Sequence, residues 1–320
     1  MGEKGHLMAL FIFHTENQGI RKGVCSVQYS WFNRNLKWIY TLPAVIFVLL
    51  MMLFPIIYTV RISFYEWSMS ATTPPLWVGL SNYIALFKDE RFWHAAGSTF
   101  YFTFAALTLE VILGIAIALL LSREFKGKNI VKTIFLLPMV ATPVAMGLVW
   151  MLIYEPTIGV ANMLLKTFGL EPLLWLASPN QVIPSLVIVD VWEWTPMIAL
   201  IIMAGLATLP TDPYEAADVD GASTWRKFVS ITFPLLRPTI IVAAMLRLID
   251  VLKTFDIIYA TTQGGPNFAS ETLNLYGYVL GFQYFKLGMA SSLLVIFFAL
   301  VMGLTLFMIW MRKRMEGATS

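Results

Sequence analysis

The strongest constraint on this chain is the number of apolar runs long enough to cross a bilayer. Five or six stretches each exceed about 18 apolar residues, the length that traverses a hydrocarbon core of roughly 30 Å. We place six spans, at roughly residues 39–60, 98–121, 134–154, 183–209, 238–260 and 290–311. Lipid offers no partner to a backbone N–H or C=O, so a spanning segment is either a helix or a strand of a closed barrel. The alternation over about ten residues that marks a barrel strand is absent. Composition agrees: 58% of the 320 residues are hydrophobic and 13% charged, where soluble domains carry about a quarter charged. The fold class is all-α, a polytopic membrane protein with six transmembrane helices.

Lysine and arginine set the orientation, because cytoplasmic connections retain them. The first 38 residues carry Lys4, Arg21, Lys22, Arg34 and Lys37, and the connection after the second span carries Arg123, Lys126, Lys128 and Lys132. Arg226, Lys227 and Arg237 separate the fourth span from the fifth, and Arg312, Lys313 and Arg314 follow the sixth. The intervening connections hold only Arg61, Lys88 and Arg91, then Lys166, then Lys286. Both termini are therefore expected in the cytoplasm. Residues 1–38 form an expected cytoplasmic tail. Its apolar piece, Leu7 to Phe13, is too short to span, and no small-residue cleavage site follows it. Trp31 to Trp38 mixes aromatics with Arg34 and Lys37, which suits an interfacial helix. Residues 39–311 are the transmembrane domain, and 312–320 a second cytoplasmic tail. Pro138, Pro143 and Pro196 fall inside spans and favour kinks.

The usual catalytic signatures are missing. No glycine-rich loop ends in Gly-Lys-Ser/Thr, and there is no G-x-S-x-G or H-E-x-x-H. His6, His14 and His94 are not at metal-ligand spacing, and a single cysteine, Cys25, excludes an internal disulfide framework or a thiolate cluster. Neither an enzyme nor a metal site is expected.

One polar segment interrupts the apolar pattern: "EAADVDGASTWRKFVSITFPLLRP", Glu215 to Pro238. Asp212 is a good N-cap, and Pro213 opens a helix at its first turn. Glu215 and Asp218 then sit near the positive end of that helix. Ala216, Ala217 and Val219 give it a small apolar surface, and Gly221 permits a sharp change of direction. Ser223 or Thr224 caps a second short helix holding Trp225, Phe228, Val229 and Phe233. Pro234 is expected to end it, and Pro238 to open the next span. A helix, a hinge and a second helix, anchored at both ends, suit insertion into a groove of a cytoplasmic partner.

Glu215-Ala216-Ala217, Gly221 six positions after the glutamate, then Ile231 and Pro234, resemble the EAA loop of permeases in binding-protein-dependent ABC importers. In that family the loop docks into a cleft of the ATPase subunit and passes its opening and closing to the membrane helices. The resemblance assigns ATPase coupling, over residues 212–238, to Glu215, Ala216, Ala217, Asp218, Gly221, Trp225 and Phe228. Phe233 departs from the pattern, standing where leucine is usual. A second stretch, "FDIIYATTQGGPNFASETLNLYGY" from Phe255 to Tyr278, resembles the carbohydrate-uptake branch, in particular the larger maltose permease and the glycerol-3-phosphate permease. The resemblance covers about residues 35–315 and implies a type I (MetI-like) permease fold. It also implies a place in a bacterial inner membrane, a heterodimer with a second permease, two copies of an ATPase subunit and an extracytoplasmic sugar-binding protein. ATP and Mg belong to the ATPase subunits, so no cofactor is expected in this chain.

Ionisable groups inside spans are costly and mark functional sites by default. Asp190, Glu193, Trp194 and Met197 are spaced i, i+3, i+4, i+7 and share one face of the fourth span. Arg247, Asp250, Val251 and Thr254 repeat that spacing in the fifth. Two polar faces at similar depth predict the walls of one cavity, and by resemblance they match the sugar-contacting helices of the maltose-type permease. That family's pocket is lined by neutral amides and aromatics, whereas this chain presents Arg247, Asp190 and Glu193. A guanidinium suits bidentate carboxylate binding, which points to an acidic oligosaccharide such as an alginate fragment. The alternative is that Arg247 pairs with Asp250 or Asp190 and holds helices together. Lys253 and Asp256 are expected to form an i, i+3 ion pair, and Glu110 has no partner that the sequence names. The expected function is the permease half of an ATP-driven saccharide importer. The alternatives are an importer of glycerol-3-phosphate or another small anion, or a secondary transporter.

Overall fold

The computed structural model describes residues 25–69 and 74–316, so the expectations for residues 1–24 and 317–320 lie outside the described residues. Cys25–Ile62 is one helix, α1, which carries Pro43 and Pro55 within it. Residues 31–38, expected along the membrane surface, are continuous with the first span. Beyond α1, strand β1 (Tyr65–Glu66) pairs antiparallel with β2 (Leu76–Trp77). Asn82 secures this turn by donating its amide to the Ser63 and Tyr65 carbonyls, each at 2.9 Å. Helix α2 (Ser81–Lys88) leads directly into α3 (Glu90–Ser122), whose N-cap Asp89 accepts a hydrogen bond from the Arg91 amide at 3.0 Å.

The third expected span is broken. Helix α4 (Lys128–Leu136) gives way to a 3₁₀ turn at Pro138–Val140, and α5 (Pro143–Ile153) follows. Ala141 and Thr142 are extended between them, because proline removes a donor and disfavours the helical region for the residue before it. The two prolines read as kinks in the sequence therefore divide the span. Among the described residues, five helices are long and apolar enough to cross a membrane unaided: Leu36–Ile62, Glu90–Ser122, Val182–Leu206, Thr224–Leu252 and Leu287–Arg314.

A short helix, α6 (Val160–Thr167), follows α5. Its loop is built around the buried Asn162, which donates to the Pro156 and Leu173 carbonyls and accepts from the Leu173 amide and the Trp175 indole. The Ile158 amide and the Thr157 hydroxyl both bond Glu155, and they hold its carboxyl below the ordinary value. Helix α7 (Val182–Leu206) is the most enclosed of the five, with 61% of its most apolar window buried. After it come α8 (Asp212–Val219) and α9 (Thr224–Lys227). A π turn at Phe228–Thr232 joins α9 to α10 (Phe233–Leu252). The chain closes with α11 (Asp256–Thr261), α12 (Leu273–Tyr278), a second π turn at Val279–Gln283, and α13 (Leu287–Glu316).

Helices α3, α7 and α10 form the heart of the bundle. Ala118, Ile198, Ile202, Leu236 and Ala243 are buried where the three meet. Helix α3 approaches α7 closely at Gly114, where a Cβ would lie 2.6 Å from the Ile198 Cγ2. A second core joins α2, α3, α12 and α13 through Leu86, Phe92, Leu273 and Leu293.

Candidate functional site

The polar segment after α7 folds as two helices around a bend. Pro213 occupies the first turn of α8, but the N-cap is Thr211, not Asp212, and it makes no side-chain cap bond. Gly221 takes φ +68°, the left-handed region that glycine enters without steric cost, and it turns the chain into α9. The Ser223 hydroxyl accepts from the Arg226 amide at 3.3 Å and caps the second helix. Asp218 and Lys227 form an ion pair across the bend, and the Tyr214 hydroxyl lies 2.9 Å from that of Thr232. Glu215, Ala216 and Asp218 are exposed, and Ala217 and Phe228 half-buried. Val219 and Trp225 are 89% and 72% exposed, which is high for residues so apolar. Trp225 and Phe228, with ring centroids 5.6 Å apart, border a groove of about 600 Å³ with Ile112, Ile115 and Leu119 of α3.

The expected stop at Pro234 does not occur. The helix continues from Thr224 to Leu252, with Pro234 in the first turn of α10 and Pro238 inside it. The π turn supplies the physical reason. Phe233 bonds back to the Phe228 carbonyl, five residues away, which widens the helix where Pro234 cannot donate.

A cavity of about 340 Å³ lies between α7, α10 and the start of α11. Six residues expected at the substrate site line it: Asp190, Glu193, Trp194, Arg247, Asp250 and Thr254. Val251 is instead buried in the core, and the half-buried Met197 is not part of the lining. Pro143, Lys253, Phe255, Asp256 and Ile257, which the sequence did not single out for this role, complete the wall.

Arg247 is engaged within the protein and only 2% exposed. Its Nε and Nη2 donate to the two carboxylate oxygens of Glu110 at 2.7 and 2.9 Å, and Nη2 also reaches Asp190 at 2.5 Å. The guanidinium lies 5.0 Å from the Trp194 ring centroid, in the range of a cation–π contact. The cluster fastens α10 to α3 and α7, and it gives Glu110 a partner 137 positions away in sequence. Lys253 pairs with Asp250 at 3.7 Å, not with Asp256. The reason is local: α10 ends at Leu252, and Phe255, with φ −134°, breaks the helical path before Asp256 opens α11. Glu193 is a different case. It is 1% exposed, lines the cavity, and neither carboxylate oxygen has a hydrogen-bond partner among the described residues.

Comparison with known proteins agrees with the resemblance read from Glu215 to Pro238. The chain is 37% identical over 274 residues to the trehalose/maltose transport system permease protein MalF of Thermococcus litoralis, covering 85% of this chain and 91% of that one. It is 35% identical over 263 residues to the sulfoquinovosyl glycerol transport system permease protein SmoG of Agrobacterium fabrum, covering 82% and 85%. A chain in the crystal structure of a bacterial ABC transporter involved in the import of the acidic polysaccharide alginate superposes with a TM-score of 0.78 at 25% identity, covering 90% of this chain and 98% of that one. Residues 110–317 match the binding-protein-dependent transport system inner membrane component family, and they hold both the cavity and the exposed segment after α7. With those residues in place, the chain belongs to that family of membrane permease subunits.

Proposed function

We propose that this chain forms half of the translocation pathway of an ATP-driven saccharide importer, with the segment from Asp212 to Phe228 as its contact with an ATPase subunit on the cytoplasmic side. One observation carries the reading. The second helix of the exposed segment and the cavity lie on one continuous helical run, since Thr224 to Leu252 is unbroken and Arg247 and Asp250 line the cavity, and the Asp218–Lys227 ion pair ties the Glu215 helix to that run. Binding and closing of ATP between two partner ATPases draws the Glu215 segments together, and the cavity opens to receive sugar from a binding protein. Hydrolysis reverses the movement.

A saccharide fits the chemistry of the cavity. At about 340 Å³ it lies at the small end of ligand sites, which run from roughly 300 to 1,000 Å³, and a second permease would supply the facing wall. Glu193 offers two buried acceptors without donors, a need that sugar hydroxyls meet. Trp194 and Phe255 offer apolar faces for a pyranose ring. An acidic oligosaccharide such as alginate is the second reading, favoured by the alginate transporter's likeness; Lys253, 54% exposed at the cavity wall, would have to exchange Asp250 for the sugar's carboxylate. Arg247 does not add to that case, because Glu110 and Asp190 occupy its donors.

The test is Glu215→Lys in the transporter assembled with its second permease, ATPase subunits and binding protein. ATP hydrolysis stimulated by the loaded binding protein should fall to the unstimulated level while all subunits still co-purify. Stimulation equal to wild type would refute the coupling role.

A further inference from the structure

From Phe255 at the cavity wall, aromatic contacts continue outward. Phe255 stacks on Tyr259 with ring centroids 5.2 Å apart and an interplanar angle of 14°. Tyr259 meets Tyr278 edge-on at 5.1 Å, and Tyr278 stacks on Phe282 at 5.3 Å and 29°. The four rings form one connected file, two rings wide in its middle because Phe255 also meets Tyr278 at 5.2 Å, and drawn from the start of α11, α12 and the second π turn. Exposure rises along it, from half-buried Phe255, Tyr259 and Tyr278 to Phe282, which is 69% exposed. The file leaves the cavity at the end of the bundle where α10 stops and α13 begins, opposite the Glu215 segment.

The local structure is shaped to hold this file. Tyr278 and Phe282 are four positions apart, one turn of helix, and the π turn begins between them. The Asn274 amide donates to the Lys253 carbonyl at 2.7 Å, which ties α12 to the break after α10. The Tyr259 and Tyr278 hydroxyls lie 3.4 Å apart, so the middle of the file carries a polar pair between apolar rings. Phe255, Tyr259 and Tyr278 also pack on the core around Val251, Ile257 and Leu275. The terminal ring is the most open, and the opposite one lines the cavity.

We infer that Phe255, Tyr259, Tyr278 and Phe282 form a saccharide-conducting track, along which pyranose rings stack on their way from the outer surface to the cavity. This rests on the saccharide reading above and extends it beyond the cavity. Sugar rings present a face of C–H groups and a rim of hydroxyls. Successive aromatic faces receive the first, and the tyrosine hydroxyls the second. Stacking of this kind is weak at each ring and tolerant of sequence, which suits passage over tight capture.

The experiment uses the complete transporter in proteoliposomes, with Cys25→Ser to remove the chain's native thiol and Phe282→Cys as the reporter. A membrane-impermeant thiol reagent is applied with and without maltotetraose or an alginate tetrasaccharide, and uptake of each is measured on the same preparation. We expect Phe282→Cys to react, and the transported sugar to slow that reaction at least threefold. Phe168→Cys, at a position exposed on the loop after α6, should react at an unchanged rate. Tyr278→Ala should raise the half-saturating sugar concentration about three- to tenfold, the range of one aromatic contact, and Tyr278→Phe should restore most of it. Uptake without protection of Phe282→Cys would overturn the track and leave the importer reading intact. A reporter that never reacts would mean that the partner permease covers it, which also overturns the track. A wild-type complex that carries neither sugar would overturn the saccharide reading and the track together.

Discussion

Arg247 offers the sharpest test of how this bundle is held. Replacing it with alanine leaves the carboxylates of Glu110 and Asp190, exposed 0% and 2%, without the cation that bridges them. Breaking a buried pair by removing one partner costs about 3–5 kcal/mol, because the remaining charge stays desolvated. At about 1.4 kcal/mol per decade, the folded-to-unfolded ratio falls by roughly two to three and a half powers of ten. The contact with Trp194 is lost as well and enlarges the effect without adding independently. The measurement is equilibrium unfolding of the purified permease in mixed micelles with a rising fraction of denaturing detergent. A triple variant, Arg247→Met with Glu110→Leu and Asp190→Leu, removes all three charges and should recover most of the loss, since an apolar cluster of similar volume is often as stable as the ion pair it replaces. If Arg247→Ala unfolds within about 0.5 kcal/mol of wild type, the spread of ordinary surface substitutions, the cluster does not hold the helices. If the triple variant is no better than the single, uncompensated charge is not the cause.

Two further substitutions probe the frame around the cavity. Gly114→Val puts side-chain carbon into the space held by Ile198 and should cost about 1–3 kcal/mol by overpacking. Adding Ile198→Ala should return part of that cost, and an additive pair in the same unfolding assay would refute the close approach. Asn162→Ala strands the Leu173 amide and carbonyl and the Trp175 indole, with an expected loss of about 1–3 kcal/mol. Hydrogen exchange should quicken at the Leu173 amide and leave α7 unchanged.

The apolar spans and the polar segment between them were legible from composition and periodicity, because lipid leaves a spanning chain few choices. The cavity wall was also legible in outline. Asp190, Glu193 and Trp194 on one helix and Arg247, Asp250 and Thr254 on another share a face by spacing alone. Periodicity says which residues of one helix point together, but not which helices meet or in what rotation. Asp190 was among the partners the sequence offered for Arg247. Glu110 was not, because its contact depends on α3 packing against both α7 and α10. The ending expected at Pro234 failed for a local reason: a π turn accommodates a proline that an ordinary α turn would not. Pro138 and Pro143 acted more strongly than expected, since two prolines five residues apart leave no full turn between them. The aromatic file had no periodic signature, being assembled from separate elements across a turn.

The run from Thr224 to Leu252 is about 43 Å long at 1.5 Å per residue, and its π turn and two prolines all lie before Thr239. Beyond Pro238 the helix holds neither proline nor π turn, so a displacement that reaches that point travels on along the rod. It must surface at Arg247, where the rod is clamped to both neighbours, and at Asp250, where it forms part of the chamber wall. Fastening and chamber wall lie within one turn of the same helix, so neither shifts without the other.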